Sequence, residues 1–256
     1  MSDLFSLEGK TAVIMGGNST LARAIIEGFV LHGAKIASVV MKPEYAPEVE
    51  EQVRALGGEI KSFVADVTDL ESVQRAADEI EAWAGSVDIL LYAPGVNSST
   101  PFLELQPSEW DNIMAVNLKG CVFTIQIFAK KMIKQGTGGS IINISSVSSG
   151  PPLSRVFTYS ASKAGINSIT QYLARELAPY NIRVNAIIPG FFPAEQNRRI
   201  LDEQRVADIM RHTPVKRFGE PKELQGVCLW LASEKASSYV TGALVRVDGG
   251  FGAMTI

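Results

Sequence analysis

Short apolar runs with little polar alternation recur along the chain, and charged stretches of helix length separate them. Thr11–Met15, Lys35–Val40, Ile60–Val64, Val87–Leu91, Ser140–Ile144, Ile182–Ile187 and Ala243–Val247 have strand length. Helical patterns run from the Gly-rich turn after Met15 to His32, and over Glu44–Leu56, Leu70–Trp83 and Lys222–Ala232. Longer apolar helices are expected over Asn112–Ile133 and Thr158–Pro179. Strands apolar on both faces belong to a parallel sheet covered on both sides. Right-handed crossovers then predict an α/β fold, a doubly wound, Rossmann-type parallel sheet of about seven strands. Phe191–Thr213 breaks the alternation, being charged and helix-like between a strand and the final helix. An insertion at the carboxyl edge of such a sheet reads as a small helical substrate lid. No linker or repeat divides the chain, so residues 1–256 read as one domain with the lid at 191–213 inside it.

Composition narrows the function classes. With 256 residues, 46% of them hydrophobic, the chain suffices for one large domain. A formal charge of −3 offers no basic face for nucleic acid. Met1–Lys10 carries Asp3 and Glu8 and lacks a signal-peptide core. No apolar run is read as reaching the roughly 20 residues of a membrane span, so a cytoplasmic protein without a membrane partner is expected. Cys121 and Cys228 lie in apolar, helix-like stretches away from His32 and His212, which predicts reduced structural thiols and no metal site.

Candidate chemistry gathers at the strand ends. The first strand runs into Gly16-Gly17-Asn18-Ser19-Thr20-Leu21 before a helix. Glycines there let backbone amides approach a pyrophosphate, and the helix N-terminus adds partial positive charge. Gly16-Gly17 also suits an ordinary tight turn. Asp66-Val67 ends the third strand and Ala93-Pro94-Gly95 follows the fourth, and a doubly wound sheet receives a dinucleotide at that edge. Tyr159 and Lys163, at i and i+4, stack on one helix face. A phenol is a poor base at neutral pH, and a neighbouring ammonium favours its ionised form. Ser146 closes a strand whose end is rich in hydroxyls, while Ser145 should face the strand's other side.

These motifs, from Leu7-Glu8-Gly9-Lys10 to Val247-Asp248-Gly249-Gly250, resemble the short-chain dehydrogenase/reductase family. The resemblance implies a nicotinamide cofactor, NAD(P)(H), a carbonyl–alcohol reaction on a small-molecule substrate, and a homotetramer. It makes Asn117, Ser146, Tyr159 and Lys163 the catalytic set. Tyr159 is the acid/base, Ser146 polarises the reacting oxygen, Lys163 grips the nicotinamide ribose, and Asn117 steadies a relay water. Ser146 precedes Tyr159 by thirteen residues, the family separation. The cofactor set comprises Gly16, Asn18, Ser19, Thr20, Leu21, Lys42, Asp66, Val67, Ala93, Pro94, Gly95, Tyr159, Lys163, Pro189 and Gly190.

The chain also departs from the family pattern. Met15, Thr20 and Ala22 replace a Thr and two glycines, and Thr20 puts a β-branched side chain where backbone approaches phosphate. Tyr92-Ala93-Pro94-Gly95 replaces N-N-A-G, and Ala194 stands where many members carry a carboxamide-binding Thr. No acidic residue ends the second strand, and Lys42 offers a point charge to a 2′-phosphate, which tilts the expectation to NADP over NAD. Lys42 equally suits a solvated loop.

Pro152–Val156, Pro189–Arg198 and the tail Gly249–Ile256 look like the sugar-acid branch of the family, the D-mannonate oxidoreductase or fructuronate reductase type. That likeness adds Arg155, Gln196, Asn197 and Arg198 to Ser146 and Tyr159 as substrate contacts, guanidinium for carboxylate and amides for hydroxyls. Leu153, Phe157, Phe191 and Phe192 either line the mouth or pack as core. A 3-oxoacyl-thioester reductase uses the same four residues, and a catalytically silent binding protein would also fit the altered Gly-rich turn.

Overall fold

The computed structural model describes residues 4–192 and 202–253. Its strands are β1 (Thr11–Met15), β2 (Lys35–Val40), β3 (Ile60–Val64), β4 (Ile89–Tyr92), β5 (Gly139–Ile144), β6 (Ile182–Pro189) and β7 (Leu244–Val247). They form one sheet in the order β3-β2-β1-β4-β5-β6-β7, each neighbouring pair parallel. The expected seven-stranded, doubly wound sheet is the observed one.

The helices are α1 (Thr20–Leu31), α2 (Ala46–Ala55), α3 (Leu70–Ala84), α4 (Pro107–Met114), α5 (Gly120–Gln135), α6 (Phe157–Leu177), α7 (Glu203–His212), α8 (Gln225–Ala232) and α9 (Glu234–Ser237). Side-chain alternation along β1 divides the core. Ala12 and Ile14 pack with Ile25, Ile26 and Phe29 of α1, Val49 and Val53 of α2, and Leu231 of α8. Val13 and Met15 face Val73 and Ile80 of α3, Ile125 and Phe128 of α5, and Ile166 of α6. Each fully buried Ile or Phe contributes about 1.5–3 kcal/mol of transfer free energy. Both faces are thus covered, which is why the strands lack polar alternation.

Among the boundaries that differ from the sequence pattern, four segments do so for an identifiable local reason. Val87 is apolar and buried, but its amide donates to the Gln135 side chain (2.9 Å) and its carbonyl accepts from it (3.1 Å), so β4 starts at Ile89. Glu44–Leu56 is a 3₁₀ turn over Pro43–Tyr45 followed by α2, and Lys222–Ala232 is a 3₁₀ turn over Pro221–Leu224 followed by α8. Proline opens both turns, where its missing N–H costs no hydrogen bond. The long helix around Asn112–Ile133 is interrupted by a π-helical turn, Ala115–Lys119, in which the Gly120 amide reaches back to Ala115 O.

Helix continues on both sides of that turn. Pro107–Gln135 spans 29 residues and contains an 18-residue window with a mean hydropathy of 1.3, enough by length and composition alone to cross a membrane. The core accounts for its apolar side: Cys121, Ile125, Phe128 and Met132 pack under the sheet. Of the expected lid, α7 is observed, capped by Asp202, whose carboxylate accepts from the Arg205 amide (2.7 Å). Residues 193–201 of that lid lie outside the described residues.

Candidate active site

The chain reverses its direction of winding between β1 and β4, and ligands bind such sheets beyond that switch at the carboxyl edge. Gly16, Ala93, Ser146 and Gly190 follow β1, β4, β5 and β6 there.

Ser146 begins a 3₁₀ turn, Val147–Ser149, and its Oγ accepts from both the amide (3.2 Å) and the hydroxyl (3.1 Å) of Ser148. A hydroxyl has two lone pairs and one proton. With both lone pairs engaged, Ser146 acts outward as a donor. Its hydrogen bond favours ionisation of Tyr159 and offsets part of the burial that pushes this phenol above its ordinary pKa. Ser148 was missed in the sequence, where nothing distinguishes it within Ser145-Ser146-Val147-Ser148-Ser149.

Lys163 lies one helical turn beyond Tyr159 on α6, with its Nζ 5.5 Å from the phenol ring centroid. It is buried and donates to Ile144 O at the end of β5 (2.7 Å), and burial pushes its ammonium down to about 8. Asn117 sits in the π turn, fully buried. Its Oδ1 accepts from the Val96 amide (2.8 Å), and its Nδ2 donates to Val96 O (3.0 Å) and Ser162 Oγ (3.0 Å). A side-chain amide thereby ties the loop after β4 to the helix that carries Tyr159 and Lys163. The four residues expected to act together are brought to one edge.

At the cofactor end Ser19 caps α1, its Oγ accepting from the Ala22 amide (3.4 Å) while its carbonyl accepts from Arg23 (2.9 Å). The amides of Thr20 and Leu21 therefore remain the first-turn donors that no described residue claims. Thr20 is exposed at the helix start. Gly16, at φ +69, packs on Pro94, and a Cβ there would stand 3.3 Å from Pro94 N. Gly17 needs its bareness for another reason: a Cβ would meet Ser38 Oγ at 2.3 Å. Ser38 is fully buried in β2, and its hydroxyl has no partner among the described residues. Gly190 passes Asp248 so closely that a Cβ would lie 2.7 Å from Asp248 Cα.

The remaining expected cofactor residues sit at the same edge in different surroundings. Asp66 turns its Oδ1 to the amide (2.8 Å) and hydroxyl (2.7 Å) of Thr68. Lys42 is half-exposed, 4.0 Å from Glu44. Tyr92 is core: its hydroxyl donates to Val116 O in the π turn (2.6 Å), which explains why the altered N-N-A-G segment leaves the cleft's backbone in place.

A cavity of about 580 Å³ opens beside Val147, lined among others by Leu153, Phe191, Arg205, Ile209, His212 and Phe251. Leu153 and Phe191 thus line a mouth, Phe192 is core, and Phe157 joins a surface cluster with Phe102 and Trp110. Arg155, in a left-handed backbone conformation (φ +69), pairs with Asp202 (2.8 Å) and holds that carboxyl below its usual range. Of the basic residues lining the cavity, Arg205 is bonded to Ser154 Oγ (3.1 Å) and Ser154 O (2.9 Å). Its sequence signal was a charge on the lid helix, indistinguishable from a solvated one. Gln196, Asn197, Arg198 and Ala194 lie outside the described residues. No group of three potential metal ligands occurs among the described residues.

The family model described as enoyl-(acyl carrier protein) reductase matches residues 16–252. The chain belongs to the short-chain dehydrogenase/reductase family. It is an NAD(P)-dependent oxidoreductase of that family. The 2-dehydro-3-deoxy-D-gluconate 5-dehydrogenase of Escherichia coli is 39% identical, over 96% of this chain and 97% of its own. A short-chain dehydrogenase structure, the gluconate 5-dehydrogenase of Burkholderia cenocepacia with NADP and tartrate, superposes with a TM-score of 0.94 at 33% identity, covering 99% of each chain. A candidate D-mannonate oxidoreductase from Haemophilus influenza with bound NAD gives 0.90 at 33% identity, covering 98% of this chain and 97% of its own.

Proposed function

We propose that this dehydrogenase/reductase interconverts a ketone and a secondary alcohol on a sugar acid of the gluconate or fructuronate/mannonate kind. The observation that carries the reading is Ser146, made a donor by Ser148 and directed to the phenol of Tyr159. A substrate carbonyl oxygen placed there accepts from Ser146, which stabilises the charge that develops on it. Tyr159 gives its proton to that oxygen in reduction and takes it back in oxidation. Lys163, anchored on Ile144 O, holds positive charge below the phenol, and Asn117 fixes the loop after β4 against α6. NAD(P)H, when bound, supplies the hydride. The unclaimed amides of Thr20 and Leu21 and the bare Gly16-Gly17 backbone fit its pyrophosphate. Lys163 and Tyr159 face its nicotinamide end in this reading. With Val40 and Met41 at the end of β2 and Lys42 beyond, NADP is the proposed preference.

Basic residues in a largely apolar mouth support a carboxylate-bearing substrate: Arg205, Arg211 and His212 line it beside Leu153, Phe191 and Phe251. Gln196, Asn197, Arg198 and Arg155 are proposed as further substrate contacts. A cytoplasmic homotetramer accompanies this proposal, and light scattering of the purified protein checks the assembly. The deciding experiment assays D-mannonate, D-fructuronate, D-gluconate, 2-dehydro-3-deoxy-D-gluconate and acetoacetyl-CoA with each cofactor. The expected result is a kcat/KM for one sugar acid at least tenfold above the thioester, larger with NADP(H). Preference for the thioester overturns the substrate reading, and no turnover with bound cofactor favours a silent binding protein.

A further inference from the structure

Asn167 lies one turn beyond Lys163 and two beyond Tyr159 on α6, on the face those residues share. Both ends of its amide are engaged by the turn that carries Ser146. Its Oδ1 accepts from Ser145 Oγ (2.7 Å), and its Nδ2 donates to Ser149 Oγ (2.8 Å). The Ser149 hydroxyl donates in turn to Ser146 O (2.5 Å), and its amide donates to the same carbonyl (2.9 Å). Ser145 also approaches Lys163 O (3.3 Å). One side-chain amide therefore bridges the residues before and after the 3₁₀ turn to the helix that holds the phenol.

We propose that Asn167 is a positioning residue that sets the separation between the Ser146 hydroxyl and the Tyr159 phenol. This rests on the catalytic reading above. The geometry gives a specific reason. Ser146 leaves β5 on a turn of three residues that buries Val147 and Ser148 and closes on one backbone hydrogen bond, Ser149 N–H to Ser146 O (2.9 Å), so side-chain contacts with α6 set its depth. The Ser145–Asn167–Ser149 bridge fixes it at two points on either side of Ser146. A hydroxyl displaced by a few tenths of an ångström still permits cofactor and substrate to bind, but it hydrogen-bonds a developing alkoxide less well.

The experiment measures steady-state kinetics on the best sugar acid from the panel above, with Asn167→Leu, Ser149→Ala, their double variant and Ser146→Ala. The expected result for each bridge variant is a kcat about tenfold lower, with KM and the NAD(P)H dissociation constant within threefold of the parent. The alkaline-going limb of kcat for alcohol oxidation moves to higher pH, because the phenolate loses part of its hydrogen bond. The double variant falls no further than the worse single, since both substitutions cut one bridge. Ser149→Ala is the arm that survives if Asn167→Leu folds poorly. Unchanged kcat in the bridge variants, or losses that multiply and carry cofactor binding with them, overturns the proposal. Ser146→Ala separates the two levels. Near-parental turnover in that variant removes the catalytic reading itself, whereas an inactive Ser146→Ala beside fully active bridge variants removes only the role of Asn167.

Discussion

Replacing Gly17 by alanine tests how closely the dinucleotide turn is seated on β2. The new Cβ would lie 2.3 Å from Ser38 Oγ, 3.2 Å from Ser38 Cβ and 3.4 Å from Ile14 O. Gly17 does not occupy the left-handed region, so the obstacle is contact and not backbone strain. Overpacking of this kind costs about 1–3 kcal/mol. Ser38→Ala should be close to neutral or stabilising, because it removes a buried hydroxyl that has no partner among the described residues. In the double variant the nearest contact relaxes to the 3.2 Å one, and the alanine at 17 gains about 0.4–1 kcal/mol from a stiffer unfolded chain. Gly17→Ala alone is therefore expected to destabilise by about 2 kcal/mol, a fall in Tm of about 4–8 °C for a chain of this size. The double variant should recover most of it, giving a coupling energy of about 1–2 kcal/mol. Urea denaturation of all four proteins measures the cycle, and nicotinamide fluorescence measures NADPH binding in parallel. Affinity should drop about tenfold in Gly17→Ala, as the Thr20 and Leu21 amides shift with the turn, and return in the double variant. Additive stabilities, or binding lost equally in single and double variants, would refute the seating of this turn on Ser38.

Tyr159→Phe should lower turnover by at least a thousandfold with NADPH affinity within threefold of the parent, as read by fluorescence titration; near-parental turnover would remove the acid/base assignment. Ser148→Ala should reduce kcat about tenfold without raising KM, because Ser146 regains a free lone pair and loses its fixed direction; single-turnover kinetics checks this. Lys163→Met bears on stability through pH. The folded ammonium titrates near 8 and the unfolded one near 10.5, so the unfolded chain binds more protons between those values. Lys163 should therefore add up to ~3 kcal/mol between pH 8 and pH 10.5, read by urea unfolding as the change in the parent minus that in the methionine variant, because burial of Cys121, Cys228 and Tyr159 pulls the other way in both.

The sheet was legible because its strands are buried on both faces, and continuous apolar runs such as Thr11–Met15 have no competing explanation. Val87 shows where that signal stops, since burial alone does not distinguish a strand residue from one whose backbone is held by Gln135. That Tyr159, Lys163, Ser146 and Asn117 share one edge was readable through spacing within one helix and between neighbouring elements. Ser148, Asn167 and Arg205 were not. Their significance comes from partners 2, 22 and 51 residues away, reached through side-chain hydrogen bonds that leave no periodic trace. The π turn was equally silent, because Ala115–Lys119 has the composition of the helix on either side. The structure shows why glycine follows the turn: a Cβ at Gly120 would press on Tyr92 Oη at 2.8 Å and Val67 O at 2.9 Å.

The widened turn at Ala115–Lys119 has a consequence for how this protein tolerates changes in length. A π turn holds one residue more than the α-helix needs, and each α-helical residue adds about 100° of rotation. Excising a single residue there would let the backbone heal into an unbroken helix of better local geometry. The same edit would keep α4, with Trp110, near its present phase relative to α5, because the wider turn absorbs the extra residue, but it would displace Asn117 from Val96 and Ser162. A shorter, locally more regular helix would thus leave the catalytic edge without its tie to the loop after β4.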